Sequence, residues 1–340
     1  MAWALLGLTI RLAQCLGLHR ESPQSTSEAM KIERSKVWSM VTWQDSLLSI
    51  TYDRASSTAI LDKPAYHSPN DITATYGNWS YEECMYRLTR VGTDIVRERA
   101  NPQDPKAQMH RITEQKQELE DILSGAADFL RDSRQCRTAK EQLQHWALYM
   151  HMSYIHSELC RPAISPTAPR SELAKSHKET CIENLMNTLE AYLGLTNLYS
   201  YASRSWAALH RALSSSLLLS ILREPQRNEK ARLLVERFLK YLYQVTADMD
   251  QSGLGSPIKR SMLALAKLNN AVLPATPAPA SATTIDTPVA TTADQFNFND
   301  WNLMDSPNWP NMSPLPSLGS DDSPYAMMDQ IIWGQKPSPR

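Results

Sequence analysis

Three histidines are the first residues whose spacing could do chemistry, because imidazoles on one helix can share a metal ion or relay a proton. They are His145, His151 and His156, in one segment of helical periodicity. At roughly 100° per residue, His145 and His156 share a face but lie about 16 Å apart along the helix axis. The three cannot chelate one metal ion together, and we expect them to be core or surface histidines.

The five cysteines are scattered and never occur in Cys-x-x-Cys spacing. This pattern argues against a disulfide framework and a zinc site, and we expect Cys15, Cys160 and Cys181 to be small core residues. Residues Ser256 to Lys259 match Ser-x-x-Lys, but the other motifs of penicillin-recognising enzymes are missing. No phosphate-binding glycine loop or hydrolase motif is present either. The sequence therefore predicts no enzyme, and no metal or other cofactor held by this chain.

Three polar residues at the ends of apolar helical segments are candidates for structural pairs or for an effector pocket. A carboxylate at Asp45 would need a partner if it were buried, and Arg54 lies just beyond the predicted helix end. We expect Asp45 and Arg54 to form a structural pair, with an effector pocket as the alternative. Arg161, before Pro162, is expected to cap the last carbonyls of its helix rather than to bind a ligand.

Helical periodicity runs through residues 1–272, and no segment shows the alternation of a β-strand. The segment from Leu209 to Leu222 is the most apolar and should lie centrally, whereas 107–131 is polar and should lie at the surface. Proline, glycine and serine clusters separate the segments. The predicted helices lie near 2–17, 28–50, 80–100, 107–131, 138–160, 171–197, 203–222, 229–249 and 257–270.

The first segment is apolar on nearly every side, with Arg11 as its only charge before His19. It has no basic start and no small-residue cleavage site, so it does not fit a signal peptide. It is also too short to span a bilayer, and nothing else predicts a membrane association. We expect a core helix with Gly17 at its C-cap, so that the chain begins inside a helical domain.

The C-terminal region differs in composition and charge from the helical body. From Pro274 to Arg340 there are 7 Asp, no Glu and 2 basic residues, giving −5, while the rest carries 33 basic and 29 acidic residues, giving +4. Residues 273–293 read as a Pro/Ala/Thr-rich linker. Residues 294–340 interleave aromatic and aliphatic residues with acids, a pattern typical of a disordered activation region.

This acidic-aromatic tail is predicted to dock weakly on coactivators. The alternatives are a plain solubilising tail and a segment that docks on the chain's own core. The candidate coactivator-binding residues are Phe296, Phe298, Trp301, Leu303, Met304, Ile331, Ile332 and Trp333.

Three blocks resemble the fungal-specific regulatory domain, or middle homology region, of Zn2Cys6 zinc-cluster transcription factors. Residues Ala2 to Arg20 are similar to its hallmark helix, and residues 33–49 to the next one. Residues 148–162, which end in Arg-Pro, resemble a later helix. The blocks occur in the family order, and the resemblance covers roughly residues 1–270. Ala55 follows Arg54 where many members have proline, which is a departure from the family pattern.

The resemblance implies an all-helical regulatory domain over residues 1–272, a nuclear location and control of a metabolic or secondary-metabolite gene cluster. Together with the tail, it leads us to predict transcription coactivators as partners, and a helical body that forms a homo- or heterodimer and responds to a small-molecule effector. The family's zinc cluster needs six clustered cysteines, which this sequence lacks. DNA contact, and zinc with it, is therefore expected only through a cluster missing N-terminally or through a partner. The alternatives are a non-DNA-binding partner or repressor that heterodimerises with a complete regulator, and a small-molecule-binding protein or enzyme.

Overall fold

The structure, a computed structural model, describes residues 2–59, 78–101, 104–164, 172–199, 205–247, 256–270 and 324–333. These residues form eleven α-helices and no strand, which confirms the predicted all-α fold class. The helices are α1 (Ala2–Cys15), α2 (Glu28–Tyr52), α3 (Tyr81–Ala100), α4 (Pro105–Gly125), α5 (Asp128–Arg131), α6 (Ala139–Leu159), α7 (Glu172–Leu198), α8 (Trp206–Ile221), α9 (Glu229–Ala247), α10 (Ser256–Leu268) and α11 (Pro324–Trp333).

Polar side chains at the N-caps fix where several of these helices begin. Ser27, Ser80, Asp104 and Thr138 precede α2, α3, α4 and α6, and each side-chain oxygen accepts a hydrogen bond from a first-turn backbone N–H. A cap of this kind contributes about 0.5–2 kcal/mol to stability. At the other end of α2, Asp53 adopts a left-handed conformation with φ of 50°.

The single helix predicted over 107–131 is two helices, α4 and α5. The break comes where the backbone at Trp79 bonds to the end of α4. Its N–H donates to the Gly125 carbonyl at 2.7 Å, and its carbonyl accepts from the Ala127 N–H at 3.0 Å. This pairing with a distant segment replaces the next helical bonds, and sequence periodicity carries no signal for it.

Residues 1–219 form one compact unit, whose core lies between α3, α4 and α6. Helix α6 runs antiparallel to α7, since Trp146 lies against Gly194 while the Cys181 thiol contacts the Ser157 carbonyl. Cys160 and Cys181 are buried, as predicted. The predicted central segment is α8, where every side chain of residues 208–219 is buried.

Helix α1 packs on α2 with one face and is not the core helix that the sequence predicts. Ile10 and Ala13 are buried, and Gly17, with φ of 67°, ends the helix as expected. Cys15 is exposed rather than in the core. A helix packed mainly against one neighbour buries only one stripe, however apolar its other faces are. The exposed leucines are Leu5, Leu8, Leu12 and Leu16.

Residues 220–340 form the second compact unit, in which α10 packs against both α9 and α11. Helix α11 lies inside the region predicted to be disordered, so the described part of that region, residues 324–333, differs from the prediction. The rest of 273–340 lies outside the described residues. The predicted boundaries at 272 and 293 stay predictions.

Replacing Gly194 by alanine should destabilise the α6–α7 pair. A Cβ atom there would lie 2.6 Å from the Trp146 ring, and overpacking of this kind costs about 1–3 kcal/mol. That cost exceeds the gain of about 1 kcal/mol that alanine brings in a helix interior. We expect a lower urea midpoint of unfolding for Gly194→Ala.

The matched control is Gly7→Ala in α1, where an added Cβ meets nothing within 4 Å. That variant should be as stable as the unmodified chain or more stable. Equal midpoints for the two glycine variants would contradict the close Trp146–Gly194 packing.

Candidate functional site

The Asp45 carboxylate is buried in α2 and holds the loop that follows the helix. Its Oδ2 accepts hydrogen bonds from the Ser56 hydroxyl at 2.7 Å, the Thr58 N–H at 2.8 Å and the Thr58 hydroxyl at 2.9 Å. The predicted pairing with Arg54 is wrong, because Arg54 is exposed and the loop hydroxyls and amide satisfy Asp45 instead. Asp45 is therefore a structural anchor for residues 56–58.

That anchored loop forms one wall of a cavity of about 140 Å³ between α2 and α3. Hydroxyl groups dominate the lining, and two arginines stand at its exposed side. No histidine or cysteine is among the described residues that line it, so it lacks the usual nucleophile–base pairs. The described lining residues are Trp38, Ser39, Thr42, Thr58, Ala59, Tyr86, Thr89, Arg90, Thr93, Asp94 and Arg97.

The threonine hydroxyls of this cavity are oriented by their own helices. Thr42, Thr89 and Thr93 each donate to a backbone carbonyl one turn earlier, at 2.7–3.0 Å. With their protons committed, these oxygens offer only acceptor lone pairs to a bound molecule. Arg97 is paired with Asp94 in the same wall. The cavity thus offers hydrogen-bond acceptors that a small polar donor could bind.

Arg161 lies beside the buried carboxylate of Glu158, whereas its expected capping of the last carbonyls of α6 stays a prediction. Its Nη1 lies 3.7 Å from Glu158 Oε2. Arg99 from α3 donates to the same oxygen at 2.7 Å and to the Glu158 carbonyl at 2.8 Å. Arg99 also lies 3.5 Å from Asp53 at the end of α2. These contacts join α2, α3 and α6 rather than line a pocket.

A second polar group lies in the interior, and the sequence analysis missed it. Arg211 of α8 is 1% exposed, and its guanidinium lies 5.1 Å from the centre of the Tyr154 ring. Burial lowers the pKa of Arg211 to about 10, so the group stays charged at neutral pH. Burial, with the Arg211 charge, also holds the pKa of His151 well below its usual value. The sequence did carry one signal for this group, because Arg211 is an arginine inside the most apolar helical segment.

The three histidines of α6 take three different positions. His145 Nδ1 lies 3.0 Å from the Leu130 carbonyl, and the ring of His151 contacts that of Trp43 edge-on. Burial, with the charges of Lys116 and His177, lowers the pKa of His156 to about 4. Among the described residues, no three His, Cys, Asp or Glu side chains are placed to hold a metal ion.

Two of the predicted coactivator-binding residues are buried inside the chain. Ile331 and Ile332 of α11 are 2% and 0% exposed, and their carbonyls accept hydrogen bonds from Arg260 Nε at 3.0 Å and Nη2 at 2.7 Å. In this arrangement they are not available to a coactivator, which corrects the prediction for them. The sequence analysis also gave the alternative that a tail segment docks on the chain's own core. Residues 324–333 fit that alternative. The side chains of the remaining candidates lie outside the described residues: Phe296, Phe298, Trp301, Leu303, Met304 and Trp333.

Comparisons of the chain with protein-family models, with curated proteins and with solved structures found no match. No described helix is both long enough and apolar enough to cross a membrane.

We predict that Asp45→Asn destabilises the loop at residues 56–58. Asparagine keeps one acceptor oxygen but loses the negative charge, so the three hydrogen bonds at that oxygen weaken, with an expected total loss of about 1–3 kcal/mol. The expected result is a lower melting temperature and faster hydrogen exchange at the Thr58 amide. The comparison variant is Arg54→Ala. If Arg54→Ala lowered the melting temperature and sped up exchange at the Thr58 amide as much as Asp45→Asn does, the result would favour the predicted Asp45–Arg54 pair.

Stability should fall as the medium becomes acidic, through the buried histidines. Burial, with the Arg211 charge, lowers the pKa of His210 to about 3, and the pKa of His156 is about 4. Since an unfolded histidine titrates near 6.5, the unfolded state binds more protons below that pH. The free energy of unfolding should then drop by up to about 1.4 kcal/mol per pH unit for each histidine.

Urea unfolding at several pH values between 7.5 and 4.5 measures this dependence. His156→Gln should flatten the slope, whereas His110→Gln, whose side chain is 75% exposed, should leave it unchanged. Identical slopes for His156→Gln and the unmodified chain would exclude His156 as a source of the acid sensitivity.

Proposed function

We propose that this chain is a transcription regulator of the fungal zinc-cluster class, acting in the nucleus on a metabolic or secondary-metabolite gene cluster. The observation that carries the proposal is the position of the three resemblance blocks. They coincide with α1, with α2, and with α6 and the turn that follows it. The Arg-Pro pair that ends the third block also has a defined role, since Arg161 closes the Glu158 ion pair.

The proposed mechanism is recruitment of coactivators by the acidic tail. Interleaved acids keep apolar side chains solvated and able to dock on a partner's groove. Because Ile331 and Ile332 are buried on the body, the set from Phe296 to Met304 is the first candidate for the coactivator contact. The helical body would then restrain or dimerise the molecule under effector control.

DNA binding is proposed to come from a zinc cluster outside this sequence or from a partner. A zinc cluster holds two ions with six thiolates in a compact array. The five cysteines here are dispersed, and all are free thiols, with three of them buried in the helical body. They cannot be rearranged into such an array without unfolding α3, α6 and α7.

A reporter assay tests the activation role. The full chain is fused to a heterologous DNA-binding domain, and Phe296, Phe298 and Trp301 are replaced together by alanine. We expect reporter output to fall about tenfold, which corresponds to a loss of about 1.4 kcal/mol in coactivator binding. Protein abundance is measured in parallel.

The matched control replaces Phe129 by alanine, because this partly buried aromatic lies against the core of the body. Phe129→Ala should lower reporter output only as far as it lowers protein abundance, and the output per molecule should stay the same. Unchanged output from the triple variant at equal abundance would reject the tail as an activation region.

The second candidate function is a partner or repressor that heterodimerises with a complete regulator. The observation in its favour is the exposed leucine stripe of α1, where Leu5, Leu8, Leu12 and Leu16 are 57–68% exposed. Spacing of three and four residues is the pattern by which helices pack against each other. The surface cavity favours the small-molecule alternative less, since its volume of about 140 Å³ is below the roughly 300–1,000 Å³ of typical ligand pockets.

A further inference from the structure

Three side chains from three helices carry buried nitrogen atoms that have no hydrogen-bond partner within the described part of the chain. These atoms are Nε1 of Trp43 in α2, Nδ1 of His151 in α6, and Nε and Nη2 of Arg211 in α8. Buried polar groups are nearly always hydrogen-bonded, so each exception needs a physical explanation. We call Trp43, His151 and Arg211 together the Arg211 cluster.

The two unpaired guanidinium nitrogens define one edge of Arg211. Its Nη1 donates to the Ala207 carbonyl of the same helix at 3.3 Å. The edge formed by Nε and Nη2 has no hydrogen-bond partner among the described residues, and it presents two parallel N–H groups. This fork matches the two oxygens of a carboxylate, which arginine binds in a bidentate manner.

Arg211 has no carboxylate as an ion-pair partner among the described residues. The closest candidate is Glu158, whose charge acts on Arg211 at longer range. Its Oε2 already accepts from Arg99 at 2.7 Å and lies 3.7 Å from Arg161. The Tyr154 ring supplies a cation–π contact, which is weaker than a bidentate ion pair.

Ring contacts join Trp43 to His151, and a cation–π contact joins Arg211 to Tyr154, which follows His151 by three residues on α6. The Trp43 ring lies 5.8 Å from the His151 ring and 5.8 Å from the Tyr81 ring. Both His151 and Tyr81 lie close enough to Arg211 to feel its charge.

We propose that the Arg211 cluster is an internal binding site for a small carboxylate. The Nε–Nη2 edge of Arg211 binds both carboxylate oxygens, and the Trp43 indole N–H and His151 add single hydrogen bonds. The Tyr81 and Tyr154 rings exclude water around them. The ligand neutralises a charge that is costly to bury alone. This site does not depend on the transcriptional role.

Thermal unfolding of the full chain with sodium formate or sodium acetate tests the site, with sodium chloride at the same concentration as the reference salt. Both carboxylates should raise the melting temperature saturably, by about 5 °C at 100 times the dissociation constant. Arg211→Met should abolish this rise. It should still fold, because replacing a buried charge by an apolar side chain of similar size is often neutral or stabilising.

Trp43→Phe keeps the ring and removes only the indole N–H, so it should weaken acetate binding about fivefold. The matched control is Arg134→Met, at a side chain 87% exposed, and it should respond to acetate like the unmodified chain. Equal effects of acetate and chloride on the unmodified chain would overturn the proposal. An acetate response that survives in Arg211→Met would overturn it as well. If Arg211→Met does not fold, the proposal is overturned by an acetate affinity of Trp43→Phe that equals that of the unmodified chain.

Discussion

The buried Glu158 carboxylate is the contact on which the arrangement of the first unit depends. It is 4% exposed and is held by Arg99 from α3 and by Arg161 from the turn after α6. Arg99 extends the network to Asp53, the residue that ends α2. Removing one partner of a buried ion pair costs about 3–5 kcal/mol, since the other charge stays behind unpaired. The network therefore couples the positions of α2, α3 and α6. Helices α2 and α3 border the surface cavity, and α2 and α6 carry Trp43 and His151 of the Arg211 cluster.

Asp45 and Arg211 show two different solutions for a charge inside an apolar helix. Asp45 is satisfied locally, because Ser56 and Thr58 supply three donors to one carboxylate oxygen. The Asp45 carboxylate needs no further hydrogen-bond partner, and its role is structural. Arg211 has a single acceptor from its own helix, and the unpaired atoms of the Arg211 cluster are all nitrogens. The nitrogens of Arg211 and Trp43 can only donate, and donors that lack an acceptor are complementary to an anion, which is why they suggest a ligand rather than a fold contact.

Sequence periodicity predicted the helices well because the apolar spacing, the cap residues and the breaking prolines all act within a few positions. The burial of α8 followed from its composition in the same way. Contacts between distant segments were not predictable. Trp79 breaks the helix at Gly125, and the loop at 56–58 replaces Arg54 as the partner of Asp45. Helix α1 was misjudged because an apolar sequence does not say how many neighbours a helix has.

Helix α11 illustrates how one sequence can serve two competing contacts. Its apolar residues recur at helical spacing within an acidic, proline-rich region, so composition favours disorder while the local pattern favours a helix. Arg260, 71 residues before Ile331, binds the carbonyls of the last turn and so supports the helix. A segment tethered to its docking surface experiences an effective concentration in the millimolar range. A coactivator that uses Ile331 and Ile332 must therefore outcompete this internal contact.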